Sequence, residues 1–277
     1  MNLADIDPAE NAFRKILVYG PPKSGKTKLV GTLAERFKLD WIDLENGYKT
    51  LFQLPKELQK NINIIRVPDS REFPIAGQML WAVTKGNKVK VCEKHGNANC
   101  PLCLKDPGWE IELNNQPIDR ILVIDSATQL TMSILNRMMK DAWAKDPETK
   151  PEWDNYREMG NRLNGIFGQI QAGRYHCIVI SHEVEIMNDK TKETKVVPVA
   201  GTTNFSKNFG KFFDDIVYLE IKDKRHQLGS NTTYKLNTLT GSRAGIDLEK
   251  LTGNVSLIPF FEQPNLSKAV VGTVGKP

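Results

Sequence analysis

The chain has 277 residues, 40% of them apolar, and 38 Lys and Arg against 33 Asp and Glu give a net charge of +5. That length fits one large α/β domain, or one domain with a small insertion, and the apolar share suffices for a sizeable core. No apolar run approaches a membrane span, the polar Met1–Glu10 stretch does not read as a secretory leader, and four cysteines, three of them clustered, argue against a disulfide framework, so a cytoplasmic protein without a membrane partner is expected.

Residues 1–13 read as a lead-in to a first strand, Lys15-Ile16-Leu17-Val18-Tyr19. Gly20-Pro21-Pro22-Lys23-Ser24-Gly25-Lys26-Thr27 then fits G-x-x-x-x-G-K-[ST], and Lys28 to Phe37 is expected to be helical, with Leu29, Leu33 and Phe37 on one face. Strand, glycine loop and helix in this order make a phosphate-binding loop, whose backbone N–H groups surround a polyphosphate. Lys26 is expected to reach the β- and γ-phosphates of ATP and the Thr27 hydroxyl to ligate Mg²⁺. Nucleotide contacts are expected from Gly20, Pro21, Pro22, Lys23, Ser24, Gly25, Lys26, Thr27 and Lys28.

Leu39 to Leu44 reads as a second strand, ending at Glu45 before the Asn46-Gly47 turn signal. Hydrolysis needs a group that orients the attacking water, and the end of this strand can place the Glu45 carboxylate there; a solvated loop acid is the plainer alternative. Ile62–Val67 is a third strand and 71–84 a helix carrying Ile75, Met79, Trp81 and Val83.

Residues 85–118, rich in Lys, Asn, Gly and Pro, read as an insertion. They hold Cys92-x-x-His95 and Cys100-Pro101-Leu102-Cys103, two half-sites whose four side chains complete a tetrahedral Zn²⁺ shell with no open position. A structural zinc knuckle is expected, its folding energy supplied by the metal because so short a polar segment has little core of its own. Lys85, Lys88, Lys90, Lys94 and Lys105 around it admit either a nucleic-acid contact or a solvated appendage.

Arg120 to Ser126 is a continuous apolar strand ending in Asp125-Ser126. Asp125 is expected to hold Mg²⁺ through water, with Ser126 assisting; the competing reading is an Asp helix cap. Helices to about Ala144 and over Trp153–Ala172 follow, then a buried strand from Tyr175 to Ser181 and a hairpin over 183–199. Strands near 215–221 and 231–239 finish the sheet, and 262–277 reads as a tail after an ATPase domain of residues 1–261.

Asp43-Leu44-Glu45, Asp125-Ser126 and the phosphate loop together resemble the RecA-like ATPases. The resemblance covers about residues 13–245 and implies a RecA-like P-loop core with a mostly parallel sheet; the zinc knuckle is no part of it. It implies that Glu45 activates water. It also implies that the polar residue after the sensor strand, here His182, reads the γ-phosphate; a satisfied strand-end histidine is the alternative. His182-Glu183 and Trp153–Gly165 are similar to a phage branch, the single-strand annealing ATPases, which implies the host cytoplasm. Arg243 corresponds in position to a basic finger reaching a neighbouring subunit's nucleotide, which implies a ring or filament; a surface arginine is the commoner case.

The same resemblance puts single-stranded DNA against 145–157 and 184–211. The second segment carries Lys190, Lys192, Lys195, Lys207 and Lys211, with Phe205 and Phe209 interleaved, and the mild positive charge of the chain permits such a partner. Phe212 and Phe213 read as core, while Phe205 and Phe209 fit either stacking or core. The function expected is ATP-dependent recombination by annealing or strand pairing, with a single-strand-binding protein among the partners it allows. A helicase-type motor and a nucleotide-switched regulator without a DNA role are the alternatives.

Overall fold

The structure is a computed structural model that describes residues 2, 13–100, 102–103, 108–114, 116–187, 192–222, 225–229, 236–242 and 255–261. Strand β1 (Lys15–Tyr19) enters the glycine loop and α1 (Lys26–Gly31) leaves it; β2 (Lys38–Asp43), α2 (Lys56–Gln59), β3 (Ile62–Arg66) and α3 (Ala76–Thr84) follow. The hairpin of β4 (Val89–Cys92) and β5 (Gly108–Ile111) precedes β6 (Arg120–Asp125), α4 (Ala127–Lys145), α5 (Trp153–Ala172) and β7 (His176–Ser181). Then come β8 (Glu183–Met187), β9 (Thr194–Pro198), α6 (Thr203–Asn208), β10 (Asp215–Lys222), β11 (Arg225–Gly229), β12 (Leu236–Thr238) and β13 (Gly241–Ser242).

The main sheet runs β11-β10-β1-β7-β6-β2-β3, with β13 also on β10. Every pair from β10 to β3 is parallel, and only β11 and β13 are antiparallel. The ends of β1, β2, β6 and β7 therefore open on one edge, with β7 between the phosphate-loop strand and β6. Alternation along the strands feeds two cores. Leu17, Ile42, Leu122 and Val179 face α3, α4 and α5, while Val18, Trp41, Val123 and Ile178 face α1 and Phe260. Among the described residues no helix is long and apolar enough to cross a membrane.

Several expectations change. The helix from Lys28 to Phe37 breaks at Gly31 into a 3-10 turn, Thr32–Glu35. Gly31 packs so closely on the next loop that a Cβ would lie 2.6 Å from Leu51, and glycine is a weak helix former. The helix expected over 71–84 starts only at Ala76, where Asp69 Oδ1 accepts the N–H groups of Ile75 and Ala76 at 2.7 and 2.9 Å. Pro74, just before, disfavours an earlier helical start.

The 85–118 insertion does not lack a core. Val89, Val91, Ala98, Ile111 and Leu113 are buried in the same cluster as Met79 and Val83 of α3. Hydrophobic burial therefore shares in its stability, and the Cys/His set is not its only support. The strand expected over 231–239 does not finish the main sheet: β12 pairs with β9 in a separate sheet, β12-β9-β8, while β11 takes the edge of β10. Tyr19 draws it there, its hydroxyl accepting the Leu239 N–H at 2.8 Å.

Phe209, Phe212 and Phe213 are buried around Phe167, and the half-buried Phe205 stacks on Phe212 with centroids 6.2 Å apart. Phe209 is core, and Phe205 packs against that core with part of its ring exposed, so Phe209 is no stacking platform. The proposed tail at 262–277 lies outside the described residues.

Candidate functional site: a phosphate-loop edge with converging carboxylates

Gly20 leaves β1 with φ +152°, and a Cβ there would lie 2.1 Å from the Leu219 carbonyl oxygen, so the loop can begin only with glycine. Gly25 turns into α1 with φ +93°. Between them Ser24 is buried and Lys23 faces solvent; beyond Gly25, Lys28 faces solvent and Lys26 folds inward. Its Nζ donates to the carbonyls of Gly20 and Pro21 at 2.9 and 2.7 Å. Burial lowers the Lys26 pKa, and the charges of Asp125, Glu183 and Glu45 act against that shift.

Asp43 and Asp125 end neighbouring parallel strands in register. Thr27 Oγ1 donates to Asp125 Oδ2 at 3.1 Å. Burial, then the charges of Glu45 and Asp43, push the Asp125 carboxyl up to about 7, and the Thr27 hydrogen bond opposes them. The helix cap is Ser126 and not Asp125: Ser126 Oγ accepts the Gln129 N–H at 3.3 Å, and the same hydroxyl donates to Glu45 Oε1.

Glu45 thus sits at the end of β2 with two partners. Its second oxygen, Oε2, lies 3.3 Å from His182 Nε2. Burial opposes ionisation of Glu45, but the hydrogen bonds of His182 and Ser126 outweigh it and hold the carboxyl below its ordinary value. The His182 N–H donates to Thr128 Oγ1 at 3.2 Å, and its carbonyl accepts the Val199 N–H at 2.8 Å, at the base of the β8–β9 hairpin. The residues expected to act on the nucleotide, Lys26, Thr27, Glu45, Asp125, Ser126 and His182, share one edge of the sheet.

Three further side chains stand at this edge to which the sequence reading gave no role. Asp43 is buried, with Oδ1 accepting the Gly47 N–H at 2.9 Å and Oδ2 without a hydrogen-bond partner among the described residues. Its signal was the period-2 spacing that puts Asp43 and Glu45 on one side of the chain. Thr128 holds the His182 backbone. Glu183 accepts from the Tyr218 hydroxyl, and burial raises its pKa beside Lys26.

At the far side of β3, the ligand atoms of Cys92, His95, Cys100 and Cys103 all lie within 4.8 Å of one another. His95 Nδ1 is 3.1 Å from Cys103 Sγ and 3.7 Å from Cys100 Sγ. Tetrahedral Zn²⁺ with these donors separates its ligands by about 3.5 Å, so the set fits that ion. Burial opposes ionisation of Cys92, yet the backbone amides of Asn97 and His95 bring the thiol down to about 6, toward the thiolate that a metal takes.

The lysines expected on a DNA surface do not stay together. Lys192 and Lys195 are exposed on the β8–β9 hairpin and Lys207 on α6. Lys211 lies over the Phe212 ring at 4.8 Å and donates to Asn164 Oδ1 at 3.2 Å. It precedes Asp214, which accepts the Lys15 N–H at the start of β1, so it sits at the sheet edge opposite the phosphate loop. Lys190 and Arg243 lie outside the described residues.

A family model described as an AAA domain matches residues 12–246, and the chain belongs to that family, whose domain is a P-loop ATPase. Among curated proteins none matches the chain.

Proposed function

We propose that this AAA-domain chain is a Mg²⁺-dependent ATPase of RecA-like organisation whose nucleotide state switches a single-stranded DNA-binding element, serving recombination by annealing or strand pairing as in the phage branch. The observation that carries this reading is the 3.3 Å contact between Glu45 and His182, because the His182 carbonyl also holds Val199 at the base of the β8–β9 hairpin. A change at the γ-phosphate position has a path through Glu45, His182 and Val199 to the hairpin that carries Lys192 and Lys195.

In this reading Lys26 exchanges the Gly20 and Pro21 carbonyls for phosphate oxygens, and Glu45 orients the attacking water. Magnesium, held by Thr27 and Asp125, supplies charge neutralisation at the phosphates. Cys92, His95, Cys100 and Cys103 hold a structural zinc. Arg243 reaches the neighbouring nucleotide in an oligomer, ring or filament. Lys192, Lys195 and Lys207 meet DNA phosphates; Lys211 and the phenylalanines are left out of that surface.

The test is the steady-state ATPase rate with Mg²⁺, alone and with single- or double-stranded DNA, beside Lys26→Ala. Stimulation by single strands, lost in the variant and falling steeply with salt, supports the coupled reading. A rate indifferent to DNA, with no DNA binding in ATP, replaces it with a nucleotide-switched regulator. Directional unwinding replaces it with a motor.

A further inference from the structure

We propose that Arg66 is a positioning residue that fastens the Cys/His cluster to the nucleotide site, so that zinc and nucleotide bind with positive coupling. The inference rests on the metal reading of that cluster and on the nucleotide reading of the Lys26 edge.

Strand β3 is the last of the main sheet, and the cluster docks on its open side. The Arg66 N–H donates to the Gly96 carbonyl at 2.8 Å, and the Arg66 carbonyl accepts the Ala98 N–H at 2.9 Å, a parallel bridge across Asn97. The side chain grips the same turn: Nε donates to the His95 carbonyl at 3.0 Å, and Nη2 donates to it as well. Backbone and guanidinium of one residue therefore hold the segment from the ligand His95 to Ala98, just ahead of the ligand Cys100.

The other side of Arg66 faces the nucleotide edge. Arg66 pairs in register with Asp43, and the Val67 N–H donates to the Asp43 carbonyl at 3.1 Å. The guanidinium carbon lies 5.9 Å from the centroid of the Tyr48 ring. Tyr48 follows Gly47, whose N–H binds Asp43 Oδ1 at 2.9 Å and whose Cα leaves room for Asp125, since a Cβ there would lie 3.1 Å from Asp125 Oδ2. The turn carrying Asp43, Glu45 and Gly47 is thus braced from outside by a side chain that the Cys/His turn fixes. Arginine suits the task because its planar fork can bond a carbonyl while its face meets an aromatic ring.

If the metal orders the His95–Ala98 turn, it orders Arg66, and through Arg66 the turn that Asp125 and Glu45 share. Coupling of this kind is reciprocal: whatever factor zinc gives to nucleotide affinity, nucleotide gives to zinc affinity.

The test uses the full chain loaded with zinc. Zinc affinity, from equilibrium competition with a chromophoric chelator, is measured with and without Mg²⁺ and a non-hydrolysable ATP analogue, in wild type and in Arg66→Gln, whose fold is checked by circular dichroism. Analogue affinity of the loaded and stripped wild-type chain gives the reciprocal measurement. We expect the analogue to tighten zinc binding by about 5-fold or more, within the ordinary range of allosteric coupling, and the factor to fall toward unity in Arg66→Gln. Arg66→Lys, which keeps the charge without the fork, should also lose most of it. Zinc affinity indifferent to a bound analogue, or coupling undiminished in Arg66→Gln, overturns the inference alone. A chain that retains no zinc overturns the metal reading, and one that binds zinc but no analogue overturns the nucleotide reading; the inference falls with either.

Discussion

Glu45 and His182 stand 137 residues apart in sequence and meet at 3.3 Å where β2 and β7 end. Both oxygens of Glu45 are then engaged, one by His182 and one by Ser126, so the carboxylate is aimed before any nucleotide arrives. Pre-orientation of this kind lowers the reorganisation a reaction must make. His182→Ala should lower ATP turnover by about 10²-fold while nucleotide affinity stays near wild type. Equal losses of affinity and turnover, from equilibrium binding and initial rates, would instead make His182 a simple nucleotide contact.

The start of the phosphate loop is set by space as much as by conformation. Gly20→Ala should cost about 3 kcal/mol or more, because its Cβ would overlap the Leu219 carbonyl of β10 and its φ disfavours L residues. Urea unfolding measures this; a variant as stable as wild type would mean that β10 moves freely, which its pairing with β1 argues against.

His176 should give the fold an acid-sensitive step. It is buried among Phe13, Phe37 and Phe261, with Nδ1 accepting the Arg14 N–H at 3.0 Å. Burial, and then the charges of Lys15 and Arg14, push its pKa down to about 4. The unfolded chain takes up this proton below its ordinary value near 6.5, and the folded chain only near 4. Its contribution is therefore complete above 6.5 and lost as pH falls through that window, by about 3 kcal/mol. His176→Asn keeps an acceptor for Arg14 and should flatten this part of the stability-versus-pH curve. An unchanged slope would assign the acid sensitivity to other groups.

Phe209 is fully buried, with its ring 4.7 Å from that of Phe167. Phe209→Leu should destabilise by about 1–3 kcal/mol and leave DNA affinity at fixed salt unchanged, since the ring packs and does not stack on bases. A loss of DNA affinity at fixed salt in a folded variant would return Phe209 to the DNA surface.

Much of the fold was legible because its strands are doubly covered. Leu17-Val18, Val123-Ile124 and Val179-Ile180 are apolar on both faces, and the glycine loop marks the turn from β1 into α1. The features that escaped depend on partners distant in sequence. Asp69 begins α3 from outside it, Arg66 gives the insertion an anchor on β3, and Tyr19 draws Leu239 toward β9. The candidate site divides in the same way. Lys26, Thr27 and Asp125 carry local motifs, whereas Asp43 takes its place from parallel-strand register, and Thr128 and Glu183 from the start of α4 and of β8. The phenylalanine stripe shows the limit of spacing, which was the same for core and for stacking until Phe167 was placed beneath it.

The central claim is that Glu45 acts on the water and not on the nucleotide, and Glu45→Gln separates the two. The direct measurement is ATP affinity by calorimetry beside single-turnover hydrolysis in the same variant. Affinity within about 3-fold of wild type and hydrolysis slowed by about 10²-fold or more is the expected result. Hydrolysis at the wild-type rate, or a loss of affinity large enough to explain the slower turnover, would contradict the account.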